Sequence, residues 1–212
     1  MKTTLRLVYW DFPFWRAEVC RLALHLGGIE FEDVRPNRQQ SQQMKRDHEL
    51  PFGQLPVLYV GDEVIAQTGA IARYCGRLAG LYPHDDPLKA ARVDAVIDAA
   101  TDITWLIRPS IREPDPAKKL AMRAQIVETS LPTWLGHLQR WLECHGDQGF
   151  VVGESLTIGD LALWRLVGWL RSGVLDGIPE NIGEHLPLLM AHQHKIGSIE
   201  PIAAWMHEHY GA

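Results

Sequence analysis

The residues from Leu50 to Tyr74, LPFGQLPVLYVGDEVIAQTGAIARY, constrain the fold of this chain more than any other stretch. Pro51-Phe52-Gly53 reads as a turn, and Pro56 leads into the apolar run Val57 to Val60. A proline has no N–H for a sheet ladder, so taken alone Pro56 reads as a strand-edge proline. Gly61-Asp62 separates it from a second run, Glu63 to Ala66, which marks a hairpin. A helix then opens at Gln67-Thr68, with Ala70, Ile71, Tyr74 and Leu78 as its expected buried stripe. Free amides and the positive end of the dipole at a helix start suit a small anion. Thr68 alone reads equally as a plain helix cap.

Upstream, Leu5, Leu7 and Tyr9 alternate with Arg6 and Val8, a short strand pattern that runs out at Trp10-Asp11-Phe12-Pro13-Phe14. From Trp15 to Leu26 apolar residues recur at helical spacing until Gly27-Gly28 stops them, and Ile29 to Val34 reads as a second strand. That βαβ unit favours a parallel pair. The polar run 36–49 predicts only a short helix around Gln42 to Asp47. The order to residue 80 is therefore β-α-β-α-β-β-α.

Residues 81–86, Leu81-Tyr82-Pro83-His84-Asp85-Asp86, run up to Pro87 with no periodicity and read as a linker between a first domain, 1–80, and a second, 87–212. The second domain is expected to be all-helical, with helices over Pro87 to Arg108, Ala117 to Cys144, Thr157 to Ser172, Leu186 to Ile196 and Pro201 to Tyr210. At Thr157 to Asp160 a capping box, stapled by Leu156 and Leu161, serves helix nucleation.

Several function classes drop out. A formal net charge of -5 with no Lys/Arg cluster leaves no field for nucleic acid. No apolar run approaches the roughly 20 residues that span a bilayer, and the amino terminus enters a strand pattern without a leader-type core. Cys20, Cys75 and Cys144 are odd in number and lack a CxxC, so neither a disulfide framework nor a zinc site is expected and a reducing, cytoplasmic setting fits. His192 and His194 stand two apart in a helix, which points their rings away from each other, and no metal is predicted. Asp94, Asp98 and Asp102 recur every four residues on one helix face, where like charges cost a few tenths of a kcal/mol each. A compensating cation is expected there.

Five segments, LVYW (7–10), RAE (16–18), LPFGQLPVL (50–58), AQTGAIARY (66–74) and LTIGDLAL (156–163), together carry a family likeness. The element order resembles an α/β thioredoxin-like domain followed by an all-α domain, and the whole resembles the cytosolic glutathione S-transferases. Tyr9 at the end of the first strand is similar to the tyrosine-type classes: Tyr9-Trp10-Asp11 resembles Mu, and Arg16-Ala17-Glu18 with Ile71-Ala72-Arg73-Tyr74 resembles Sigma.

The resemblance implies glutathione as co-substrate, no metal, and Tyr9 as the catalytic donor that stabilises the thiolate. It implies that Pro56 is cis, that Leu55 binds glutathione through its backbone, and that Gln67 and Thr68 hold the γ-glutamyl carboxylate. Trp10, Arg16 and Gln54 complete the expected glutathione site. Lys45 is assigned the glycine carboxylate, because QQSQQMKRDHEL (39–50) lacks the tryptophan such relatives use. Asp102 is expected to reach the glutathione ammonium of a partner subunit, making a homodimer. Trp10, Phe14, Trp105, Arg108 and Ile111 are expected to line the pocket for a small hydrophobic electrophile. Phe14-Trp15 stands where such relatives commonly have Arg-Gly, a departure that bears on that pocket. Isomerase or peroxidase chemistry on the same thiol, and a non-catalytic glutathione-binding module, are the alternatives.

Overall fold

The computed structural model describes residues 4–211. Four strands, β1 (Leu5–Val8), β2 (Glu32–Val34), β3 (Val57–Val60) and β4 (Glu63–Ala66), form one sheet in the order β2-β1-β3-β4. β1 pairs parallel with β2, and the β1–β3 and β3–β4 pairs are antiparallel. Alternation along the strands divides the side chains: Leu5, Leu7 and Leu58 face the main core, while Val8 and Val57 pack with Leu50 and Met44 on the other face.

α1 (Trp15–Leu26) and α3 (Thr68–Leu78) cover the main face, and α2 (Arg38–Arg46) lies between β2 and β3 in the chain. The second half contains α4 (Pro87–Arg112), α5 (Pro116–Glu128), α6 (Ser130–His145), α7 (Ile158–Leu170), α8 (Pro187–Gly197) and α9 (Glu200–Tyr210). This is a thioredoxin-like domain followed by an all-helical one. One hydrophobic core runs through both halves, with α1 packed on α7. The connecting segment is docked: Ile158 N–H donates to the Leu81 carbonyl at 2.9 Å, and Tyr82 is buried with its hydroxyl 3.0 Å from Asp94 Oδ2.

Several boundaries differ from the sequence expectation, each for a local reason. β2 begins at Glu32 rather than Ile29, because Gly28 (φ +62°) and Ile29 close α1: Ile29 N–H donates to Leu24 and Gly28 N–H to His25. That is a Schellman closure. α2 begins at Arg38, four residues before the expected start, because Asn37 and Gln40 cap it reciprocally at 2.9 and 2.8 Å. The helix expected over 117–144 is two, α5 and α6, parted at Thr129. Pro132 has no N–H to continue the ladder to Glu128. α4 runs through Pro109 to Arg112 instead of stopping at Arg108. In α3 the buried stripe is Thr68, Ile71, Ala72, Cys75 and Gly76, while Leu78 is exposed. Gly76 sets that face, since an added Cβ would stand 2.7 Å from Ile158.

Arg73 supplies the cation expected by the aspartate row, with Nε 2.6 Å from Asp94 and Nη2 3.7 Å from Asp98. Asp160 is fully buried: Oδ2 accepts from the Thr157 N–H and hydroxyl at 2.8 Å each, and Oδ1 accepts from the Val151 N–H at 2.7 Å. Oδ1 also lies 3.1 Å from Nε2 of buried His192. Asp160→Ala strands all four groups and is expected to lower unfolding free energy by about 3–5 kcal/mol, seen as a lower urea midpoint with unchanged slope. A loss below about 1 kcal/mol, the ordinary effect of a substitution, would contradict this.

Candidate active site

Tyr9 follows β1 directly and its N–H donates to the Val34 carbonyl at 3.0 Å, so the parallel pair carries one residue past the strand and fixes Tyr9 at the C-terminal end of an interior strand. The loop beyond is held at three points. Arg21 Nη2 donates to the Trp10 carbonyl at 3.3 Å, Arg35 Nη1 to Asp11 Oδ1 at 2.6 Å, and Arg165 Nη2 to the Pro13 carbonyl at 2.6 Å. Tyr9 is buried, and burial pushes its phenol well above the ordinary tyrosine value while Arg16 and Arg21 pull the other way. The hydroxyl therefore keeps its proton through the physiological range and is available as a donor. Among the described residues it has no hydrogen-bond partner.

A cavity of about 510 Å³ opens beside it, between α2, the β1–α1 loop and the end of α4. Arg16, Arg38, Lys45, Arg108 and Arg112 line it and no carboxylate does. In a chain of net charge -5 that concentration of positive charge is local and specific to the cleft. Lys45 reaches it across Gly53, whose added Cβ would stand 3.2 Å from Lys45 Cε. Gly53 has φ +61°, so glycine both makes the turn and clears the lysine. Burial holds the pKa of Arg16 below its ordinary value, with Tyr9 opposing and Arg108 reinforcing the shift. The guanidinium remains charged nonetheless.

A smaller niche adjoins the cleft, sharing Arg16, Gln54 and Leu55 with it and adding Phe52, Pro56, Gln67 and Thr68. The Leu55–Pro56 peptide is cis. Gln67 precedes α3 with φ +73° and ψ +124°, a conformation that costs a non-glycine residue about 1–3 kcal/mol. The Thr68 hydroxyl is buried and has no partner, and it does not cap its own helix, whose N-cap position is Gln67. A buried orphan hydroxyl beside the free amides of a helix start is an acceptor-seeking arrangement.

Of the residues expected at the site, Tyr9, Trp10, Arg16, Lys45, Gln54 and Leu55 line the cleft together, with Pro56, Gln67 and Thr68 in the niche. Phe14, Arg108 and Ile111 also line the cleft. Trp105 does not: it is half exposed, with the Arg108 guanidinium 4.1 Å over its ring. The face of α4 turned to the cleft is Thr104, Arg108, Ile111 and Arg112, spaced at helical repeats, and Trp105 stands about 100° round from Thr104. Asp102 is exposed and outside the lining. The replacement at Phe14-Trp15 is structural as well: buried Trp15 donates from Nε1 to Thr104 Oγ1 at 2.8 Å, tying the first helix to α4.

Arg38, Ser41 and Gln42 were not anticipated. They share with Lys45 one face of α2, and recognising Asn37 as a cap would have revealed it. Arg112 was hidden by ending the helix at Arg108, whereas Thr104 lies within the expected helix and was not singled out. Among the described residues no group of three or more His, Cys, Asp or Glu could hold a metal, and no helix is long and apolar enough to cross a membrane.

Comparison with known proteins agrees with this fold. Residues 5–77 match the glutathione S-transferase N-terminal domain family and residues 101–209 the corresponding C-terminal domain family. The chain is 32% identical to "Glutathione S-transferase 1" of Ascaris suum over 207 residues, 96% of this chain and 95% of that protein. It is 31% identical to "Hematopoietic prostaglandin D synthase" of Gallus gallus over 191 residues, 90% of this chain and 89% of that one. Among solved structures it resembles prostaglandin synthase D of Nilaparvata lugens, with TM-score 0.83 and 26% identity over 97% of this chain and 98% of the other. It also resembles the monomeric Na-GST-3 of Necator americanus, with TM-score 0.79 and 29% identity over 97% of each chain. The chain belongs to the glutathione S-transferase family, enzymes whose co-substrate is glutathione.

Proposed function

We propose that the chain is a tyrosine-type, Sigma/Mu-like transferase that activates the glutathione thiol through the Tyr9 hydroxyl and joins it to small hydrophobic electrophiles. One observation supports this most: a buried phenol, kept protonated and without a partner, faces a cleft lined by cations and free of carboxylates. A free thiol has a pKa near 8.5, and a donor plus neighbouring positive charge lowers such values by about 1–3 units. The thiol proton leaves to solvent and the Tyr9 O–H donates to the sulfur that remains. In substitution, a carbon–sulfur bond forms as the leaving group departs with its electron pair. In conjugate addition, the π pair moves to the acceptor's carbonyl and the adjacent carbon is then protonated by solvent.

In this reading the γ-glutamyl carboxylate sits at Gln67 and Thr68, where the orphan hydroxyl and the helix-start amides lie. The peptide middle pairs with the Leu55 backbone, flanked by Trp10, Arg16 and Gln54, and the glycine carboxylate meets Lys45, with Arg38 beside it. Phe14, Arg108 and Ile111 receive the electrophile. Asp102, exposed on α4, is free to cross a homodimer interface to the partner's glutathione ammonium. Three free cysteines, one of them exposed, suit a cytoplasmic setting. A glutathione-dependent isomerase is the second reading, supported by the likeness to the prostaglandin D synthase of Gallus gallus. It shares the activated thiol.

The pH dependence of kcat/KM tests the role of Tyr9. An acid limb about 1–3 units below the free thiol is expected, and Tyr9→Phe should raise it toward the free-thiol value of about 8.5, with the remaining cations holding it below that value. Because burial raises the Tyr9 pKa, ionisation of the phenol should add no alkaline limb at its ordinary value. An unmoved acid limb in Tyr9→Phe would overturn the assignment. Thr68→Val should weaken glutathione binding about ten- to a hundredfold, the worth of a hydrogen bond to a charged group, while thermal stability holds or rises because a buried orphan disappears. Calorimetric titration showing equal affinity would refute the niche assignment.

A further inference from the structure

Behind Phe14 lies a second cavity, of about 400 Å³, with Phe12, Trp169, Val174 and Leu175 on its apolar walls and Arg123 and Arg165 as its charged groups. It shares Phe14 and Ile111 with the catalytic cleft. Ring contacts run between the two without a break: Tyr9 to Phe12 at 5.7 Å, Phe12 to Phe14 at 5.7 Å, and Phe14 to Trp169 at 4.8 Å. An apolar molecule entering from the sulfur side therefore finds aromatic surface all the way in.

The two arginines differ in what they already hold. Arg123 donates to Ser110 Oγ at 3.2 Å and to the Asp176 carbonyl at 2.7 Å, and the Asp176 carboxylate stands 3.8 Å away. Arg165 donates to the Pro13 carbonyl, but its Nε is buried without a partner and no carboxylate among the described residues forms an ion pair with it. The acid that acts on it is Glu18, whose oxygens already accept from Arg21 at 2.7 Å, Tyr210 at 2.6 Å and Trp205 at 3.2 Å. The Arg165 guanidinium also lies 5.0 Å over the Trp164 ring, but a guanidinium cannot shed its proton, and a partly buried charge with no carboxylate beside it is costly. An anion brought to Arg165 would relieve that cost. Arg108 and Arg112 also lack acid partners among the described residues, but Arg112 is exposed and solvent and salt screen such charges.

We propose that the electrophile is an amphipathic monoanion, an apolar acceptor whose carboxylate pairs with Arg165 in the cavity behind Phe14 while its reactive carbon faces Tyr9. This rests on the transferase reading above and names its substrate class.

The test compares 4-(3-oxobut-1-enyl)benzoate with its methyl ester, each enzymatic kcat/KM divided by the uncatalysed rate with glutathione. The native enzyme should favour the acid by about tenfold or more, the lower end of a charged hydrogen bond's worth. Arg165→Gln should erase the preference and Arg165→Lys should retain most of it. Arg165 also holds Pro13, so a second variant avoids the loop: Val174→Asp, on the exposed rim of the same cavity, should turn the preference toward the ester. Equal normalised rates for acid and ester in the native enzyme, or a preference unmoved by both Arg165→Gln and Val174→Asp, would overturn the inference alone. Conjugation of neither compound, with glutathione bound, would overturn the transferase reading and this inference with it.

Discussion

The buried pair Glu18–Arg21 is the interaction on which the rest of the site depends. Both side chains are excluded from solvent, and they meet at 2.7 Å within one turn of α1. Arg21 also reaches Asp33 in the middle of β2 at 2.9 Å and the Trp10 carbonyl, while Glu18 accepts from Tyr210 and Trp205 on the last helix. The first helix, the second strand, the loop after Tyr9 and the C-terminal helix therefore converge on two charges. Such a pair adds little net stability, because desolvation offsets its attraction, but losing one member strands the other at about 3–5 kcal/mol. Its main effect is geometric. With Arg35 on Asp11 and Arg165 on Pro13, it leaves the loop beside Tyr9 one position, and the phenol is aimed before any ligand arrives.

The two ends of the cleft are built from different chemistry. Toward α3 the surface consists of backbone and polar groups without partners: the Leu55 peptide, the start of α3, and the Thr68 hydroxyl. These suit a peptide-like molecule with carboxylates. Toward α4 and α7 the surface is aromatic, with Trp15 bonded across to Thr104 so that the wall between the domains is rigid. The cations lie along both, and with no carboxylate in the lining they favour thiolate over thiol at the junction.

Much of the niche at one end of the cleft was legible in the sequence because its signals are local. Pro56 before an apolar run, the Gly61-Asp62 turn and the helix start at Gln67-Thr68 each declare a backbone conformation within a few residues. Tyr9 was legible as the residue that ends a strand beside a loop. Where the reading failed, the cause was equally local and simply overlooked: Asn37 and Gln40 cap a helix that places Arg38, Ser41 and Lys45 on one face, and Pro132 divides a long helical pattern. Other features could not be read at all. The Glu18–Tyr210 hydrogen bond spans 192 residues, and the cavity behind Phe14 draws its walls from the first loop, α4, α5, α7 and the turn that follows α7. Trp169 belongs to the core, yet one side of it borders that cavity. No periodicity announces such meetings. They follow from packing.

Ultraviolet difference absorbance of glutathione bound to the native protein, followed as a function of pH, tests the central claim most directly. The account predicts a thiolate band already present at neutral pH, titrating about 1–3 units below a free thiol. Bound glutathione whose thiolate band rises only near the free-thiol value of about 8.5 would contradict it.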